Sequence, residues 1–146
     1  MGKVRIYLAH SVFERRKGRR VQRRLEEMGY TVVNPFYPEE AREDVRRLDE
    51  GEWTPWSIQD IEEAKQIINQ DLEALKSCDL IVCLFPRRRT VGITAEMTLA
   101  WKVYGIPVLS VVPEDMRGHP WILGMSERVF TSLEDLYSHL RTESGG

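Results

Sequence analysis

The 146-residue sequence predicts an α/β fold: an open, doubly wound parallel sheet of five strands with helices on both faces. Three observations predict it. The apolar runs are continuous in Val, Ile and Leu instead of alternating with polar residues, which is the pattern of strands covered on both faces. Helical periodicity fills the stretches between those runs. The elements then alternate along the chain, β-α-β-(loop, α)-β-α-β-β-α, the order that builds a parallel sheet through crossover helices.

The first strand is "VRIYLA", 4–9. A helix over 14–28 follows, with Val21, Leu25 and Met28 as its apolar stripe and Gly29 at the position that ends it. "YTVVN", 30–34, is the second strand. Residues 35–56, with Pro35, Pro38, Gly51 and Pro55, read as one long irregular stretch, the kind that serves as a lid or binding loop. A helix over 57–77 opens with Ser57 and Asp60 as a capping pair and repeats Ile58, Ile61, Ala64, Ile68, Leu72 and Leu75 at helical spacing. "DLIVCLF", 79–85, is the third strand, followed by a helix over 92–104; "IPVLSVV", 106–112, is the fourth and "RVF", 128–130, a short fifth. A helix over 132–141 closes the chain, and the tail "TESGG" is expected to fray. Without repeats or a linker, residues 1–146 form a single domain, and the element order points to a flavodoxin-like sheet.

Composition narrows the function classes. A formal net charge of −2 gives no overall positive balance, so the basic run "ERRKGRRVQRR", 14–24, reads as a helix's polar face and no nucleic-acid role is expected. No apolar run reaches transmembrane length and the start lacks a signal-peptide pattern, so a cytoplasmic protein without membrane association is expected. Cys78 and Cys83 have no second pair to make a zinc site and read as reduced, buried thiols. His10, His119 and His139 are scattered, so no metal is expected; neither a Walker A loop nor G-x-G-x-x-G is present.

In a sheet of this kind ligands bind where the strands end. That singles out 9–13, 34–37, 86–92 and 113–120. Apart from these segments, three side chains could carry chemistry. Glu96 lies at the edge of the face made by Ile93, Met97, Ala100, Val103 and Tyr104, in what periodicity makes the first turn of its helix. It is either an ionised, low-pKa carboxylate suited to nucleophilic attack or a charge that only complements the helix dipole. Asp71 falls within the apolar stripe of the preceding helix. It is either a carboxyl protonated by partial burial, and so a proton donor, or a cap for a nearby loop. Tyr7 is either core or the group that orients Glu96 through its hydroxyl. One ionised and one protonated carboxyl form the pattern that cleaves an acetal-like C1 bond. The candidate substrate-binding residues are His10, Phe13, Phe36, Trp56, Thr90, Gly92 and Met97, with Trp53, Trp56 and Trp121 able to stack on a flat ring and Arg87–Arg89 able to attract phosphate.

The pieces "IYLAHSVF", "GYTVVNPFYP", "NQDLEALKSCDLIVCLFP", "VGITAEMTLAW" and "GIPVLSVVPED" occur in this order across residues 4–116. Together they resemble the nucleoside 2-deoxyribosyltransferases and the related deoxynucleoside 5′-monophosphate N-glycosidases. The resemblance implies that Glu96 is a nucleophile forming a glycosyl-enzyme, that Asp71 assists at the nucleobase and sugar, and that Tyr7 holds the nucleophile. It implies a deoxynucleoside or deoxynucleotide and a free nucleobase as small-molecule partners, a homo-oligomer with sites completed across the interface, and no cofactor. Two positions depart from the transferase pattern. Thr90 stands where classical transferases have Asp, as the monophosphate glycosidases have a hydroxyl residue there. Trp121 and Ile122 stand where the transferases supply an Asn from a neighbouring subunit. Transferase, monophosphate hydrolase and non-catalytic nucleotide sensor are the readings that remain.

Overall fold

A computed structural model of the chain describes residues 3–38, 42–51, 58, 60–88 and 90–145. The expectations placed on Trp53, Trp56, Ser57 and Arg89 fall outside the described residues.

Five parallel strands run in the order β2-β1-β3-β4-β5: β1 Arg5–Ala9, β2 Thr31–Val33, β3 Leu80–Leu84, β4 Val108–Val111 and β5 Arg128–Phe130. This is the flavodoxin-like order, with its reversal between β1 and β3. Around the sheet lie α1 Arg15–Glu27, α2 Glu43–Asp49, α3 Ile61–Lys76, α4 Gly92–Leu99, α5 Pro120–Met125 and α6 Leu133–Gly145. Among the described residues no helix is long and apolar enough to cross a membrane.

Strand alternation sends neighbouring side chains to opposite faces. Ile6 and Leu8 of β1 join Val82 and Leu84 of β3 in one core, completed by Val21 and Leu25 of α1 and Leu136 and Leu140 of α6. Tyr7 and Ala9 join Ile81 and Cys83 in the other, beneath Leu75 of α3 and Ile93, Met97 and Ala100 of α4 and the turn after it. The period of two therefore decides that Tyr7 faces α3 and α4. The left-handed φ of 99° at Gly29 and of 64° at Gly105 ends α1 and the α4 segment, where a side chain would be strained.

Several expectations are corrected. The stretch 35–56 contains α2, anchored by the fully buried Val45. Its Glu43 and Asp44 open the helix and Arg46 and Arg47 close it, complementing the dipole, while flanking prolines masked the pattern. Helix α3 begins after Asp60, whose side chain accepts from the Glu62 N–H. Of its apolar stripe, Leu75 is buried while Ile61 and Ile68 are exposed. Between the fourth and fifth strands, where no helix was expected, the chain makes a 3₁₀ turn at Glu114–Met116 and leads into α5, with Pro120 in its first turn. The closing helix continues through Gly145, so most of "TESGG" is helical. After α4 the chain makes a π-helical turn, Ala100–Tyr104. The wider turn rotates the face, which is why Val103 is 65% exposed although periodicity aligned it with buried Ile93 and Met97.

Candidate active site

The site lies at the switch point of the sheet, where the polypeptide leaves β1 and β3 in opposite lateral directions. A cleft of about 590 Å³ opens there. Its wall takes His10 and Phe13 from the end of β1, Phe36 and Arg42 from the segment after β2, and Thr90 and Gly92 from the turn after β3. Five of the expected binding residues, His10, Phe13, Phe36, Thr90 and Gly92, thus line one cleft. Met97 does not; it is fully buried in the core beneath α4. Trp121 is exposed on α5 and is not among the residues lining the cleft.

The β1 end is held by a buried polar cluster. His10 is 4% exposed and its ring lies 4.8 Å from that of Phe36. Its Nδ1 is 2.9 Å from the Ser11 carbonyl oxygen and its Nε2 is 3.3 Å from Asn34 Oδ1. Burial pushes the imidazole below its ordinary pKa, so it is neutral. Asn34, 1% exposed, also accepts from the Phe36 N–H at 3.1 Å and donates to Gln22 of α1 at 3.3 Å. The close approach of His10 to α1 requires Gly18: a β-carbon there would stand 2.4 Å from His10 Nε2.

Tyr7, fully buried, donates its hydroxyl to Oε2 of Glu96. Burial first, then the charges of Glu96 and Asp71, push the phenol far above its ordinary pKa, so it remains a donor. Glu96 sits beyond the first turn of α4, not in it, because the helix starts at Gly92. The dipole benefit expected for it fades over that distance. Burial dominates instead. It raises the carboxyl to about 7, with Asp71 adding to the rise and the Tyr7 hydrogen bond and Arg42 opposing it. A β-carbon at Gly92 would stand 4.0 Å from Glu96 Oε1, so the glycine leaves the space beside that oxygen open.

Asp71 of α3 is raised to about 6, chiefly by burial, with Asp44 adding and Arg42 opposing. Burial thus raises Glu96 as well as Asp71, where the sequence led to a low-pKa Glu96 beside a protonated Asp71. What the two carboxyls share is a proton affinity near neutrality, which suits acid–base work.

Arg42 and Asp44 were not singled out by the sequence. The Arg42 guanidinium is 3.1 Å from Asp71 Oδ1 and binds Asp44 through two bonds of 2.6 and 2.9 Å. It also lies 4.9 Å from the centre of the Phe36 ring. The available signal was the acidic-then-basic order of "EDVRRLDE", which marks a helix and puts Arg42 at its start. Among the described residues no group of His, Cys, Asp and Glu could hold a metal ion.

No protein-family model and no curated protein sequence matches the chain. Solved structures do. A conserved protein from Enterococcus faecalis V583 is 17% identical, with a TM-score of 0.72 over 97% of this chain and 99% of that one. A 2-deoxyribosyltransferase from Bacillus psychrosaccharolyticus is 20% identical, with a TM-score of 0.64 over 91% of this chain and 90% of that one. A CMP N-glycosidase from Clostridium botulinum is 20% identical, with a TM-score of 0.60 over 95% of this chain and 98% of that one. The chain shares their fold.

Proposed function

We propose that the protein cleaves the N-glycosidic bond of 2′-deoxynucleosides and transfers the 2-deoxyribosyl group to a second nucleobase. The observation that carries this reading is the partly buried hydrogen bond from Tyr7 to Glu96, whose Oε1 stands 4.0 Å from where a β-carbon would sit on Gly92 of the cleft wall. In the reacting state the Glu96 carboxylate attacks C1′ and the C1′–N bond breaks. The base departs with the bonding electrons and takes a proton from Asp71. A second base then gives its N–H proton to the Asp71 carboxylate and bonds to C1′ as the C1′–O bond to Glu96 breaks, which restores both carboxyls. The Tyr7 hydroxyl stabilises the glutamate charge when it is the leaving group as well as when it is the nucleophile. The 20% identical 2-deoxyribosyltransferase supports the same chemistry by its fold.

Incubation with deoxyinosine and adenine, followed by chromatography, tests the reading. Deoxyadenosine is the expected product. Hypoxanthine without deoxyadenosine makes the protein a hydrolase, and neither product removes the enzymatic reading in favour of a nucleotide sensor.

A second reading, a deoxynucleoside 5′-monophosphate N-glycosidase, is favoured by one specific feature. Thr90 supplies a hydroxyl to the cleft wall, and the Arg88 guanidinium lies 4.4 Å over the ring of Phe13 on the same wall. Arg87 turns away to Asp115 at 2.8 Å. Parallel reactions with dAMP and deoxyadenosine separate the two readings by which is consumed faster.

A homo-oligomer belongs to the same proposal. Exposed Ile61 and Ile68 on α3 and Val103 after α4 give apolar surface that self-association would cover. Sedimentation at micromolar concentration checks it, and a monomer throughout sinks it.

A further inference from the structure

We propose that Arg42 is a positioning residue of this site: its guanidinium, forked between Asp44 and Asp71 and stacked on Phe36, fixes the direction of the Asp71 carboxyl and keeps the carboxyl pair able to release its protons. This rests on the proposed glycosyl chemistry for its catalytic consequence, but not for its electrostatics.

The geometry carries it. The side chains of Arg42, Asp44 and Asp71 are 12%, 14% and 21% exposed, so the three charges interact with little screening. Asp44 takes two of the guanidinium's hydrogen bonds, and the planar fork then has a fixed direction in which to meet Asp71. The backbone holds the same arrangement, because the Arg42 N–H donates to the Phe36 carbonyl at 2.9 Å and the Arg42 carbonyl accepts from the Arg46 N–H as α2 begins. One residue thus ties the cleft segment after β2 to a carboxyl on α3.

The charged and titratable groups around the pair come from every adjoining element. Asp71 faces Arg42 and Asp44. Glu96 faces Tyr7 of β1, Asp71 of α3 and Arg42, and its charge is felt by the buried Cys83 thiol of β3. Arg42 is the cation that favours the ionised form at Tyr7, Asp71 and Glu96 alike. Burial opposes its own charge, and the bonds and charges of Asp44 and Asp71 more than offset that, so Arg42 stays protonated. Without it, burial acts unopposed on Asp71 and is opposed at Glu96 only by the Tyr7 hydrogen bond, so both carboxyls hold their protons to higher pH. A protonated Glu96 cannot attack, and an Asp71 that binds its proton too tightly is a weak donor.

The test uses the full-length protein and two readouts. The first is the titration midpoint of the Asp71 carboxyl, followed by 13C NMR and assigned by its absence in Asp71→Asn. The second is the pH dependence of kcat/KM for deoxyinosine with adenine as acceptor. In Arg42→Gln the Asp71 midpoint is expected to rise by about one pH unit or more. The acid limb of kcat/KM should move the same way, giving roughly a tenfold loss per unit at pH 6. Most of that loss is expected to be recovered toward alkaline pH. Arg42→Lys retains the charge without the fork, so it should leave the midpoint near the wild-type value while kcat falls. Asp44→Asn frees the guanidinium for Asp71 and should lower the midpoint. The double variant Arg42→Gln/Asp44→Asn removes the carboxylate that the single change leaves unpaired, and thermal melts of all four show whether the fold persists. An Asp71 midpoint unmoved in Arg42→Gln and in the double variant overturns the proposal. So does a loss of activity that is equal at every pH in all variants. Absence of turnover in the wild-type protein sinks the glycosyl chemistry instead, and the NMR titration then decides the Arg42 inference alone.

Discussion

The hydroxyl of Tyr7, in the first strand, donates a hydrogen bond to Glu96, 89 residues further on, in the helix that follows β3. The bond crosses the switch point of the sheet and gives the buried carboxylate a neutral donor in place of a cation. Removing that donor has a defined consequence. Tyr7→Phe leaves an ionised Glu96 without its hydroxyl partner, and loss of one such donor lowers kcat by roughly 100-fold. Because the Tyr7 bond also opposes the rise in the Glu96 pKa, the acid limb of the rate profile should move upward. Steady-state rates across pH check both.

The wild-type pH profile follows from the same carboxyl. Glu96 must be ionised to react, and its pKa is raised to about 7. Asp71, the proton donor, must at the same time hold its proton and is raised to about 6, so the kcat/KM for a deoxynucleoside should be bell-shaped with its maximum near pH 6 to 7, and a profile flat from pH 5 to 8 would contradict this carboxyl pair.

Stability should show the opposite trend. A carboxyl whose proton affinity rises on folding stabilises the protonated folded state. That contribution is complete below the unfolded value near 4.5 and is lost as pH climbs through about 7. Glu96→Gln removes the buried charge but not the shape, so it should abolish turnover while making the protein more stable at pH 8 by on the order of 2 kcal/mol. At pH 4 the two proteins should denature alike in urea.

Much of this arrangement was legible in the sequence. The period-two alternation of "RIYLA" against "LIVCL" separates the two cores, and continuous apolar runs identify a sheet covered on both sides. Asp71 inside an apolar stripe and Glu96 at the edge of another were visible as misplaced charges, and the structure puts them within electrostatic reach of each other. The raised proton affinity of Glu96 was not legible, because it depends on burial by elements distant in sequence. Arg42 was hidden for a related reason: its importance comes from a partner 29 residues away on another helix, and a surrounding run of charges looks like any solvated surface. The exposed Ile61 and Ile68 show the limit of periodicity, which marks an apolar face without saying what covers it.

Gly18 provides a test of packing at a distance from the reacting atoms. A β-carbon there meets His10 Nε2 at 2.4 Å, far inside van der Waals contact, and this is the same nitrogen that lies 3.3 Å from Asn34 Oδ1. Gly18→Ala should therefore cost about 1–3 kcal/mol by overpacking, despite alanine's better helix propensity. Displacement of His10 from Phe36 should also raise KM. Urea denaturation and Michaelis constants measured on the same sample separate the two effects.

The π-helical turn at Ala100–Tyr104 holds one residue more than an α-helix of the same rise would need. Shortening the chain by a single amino acid inside that turn can be absorbed by tightening it to ordinary helix, with Gly105 still available to start the descent into β4. The same deletion inside Gly92–Leu99 has no slack to take up and would swing every later side chain by roughly 100°. Length variation among homologous chains should therefore collect at this turn and be absent from the eight residues before it.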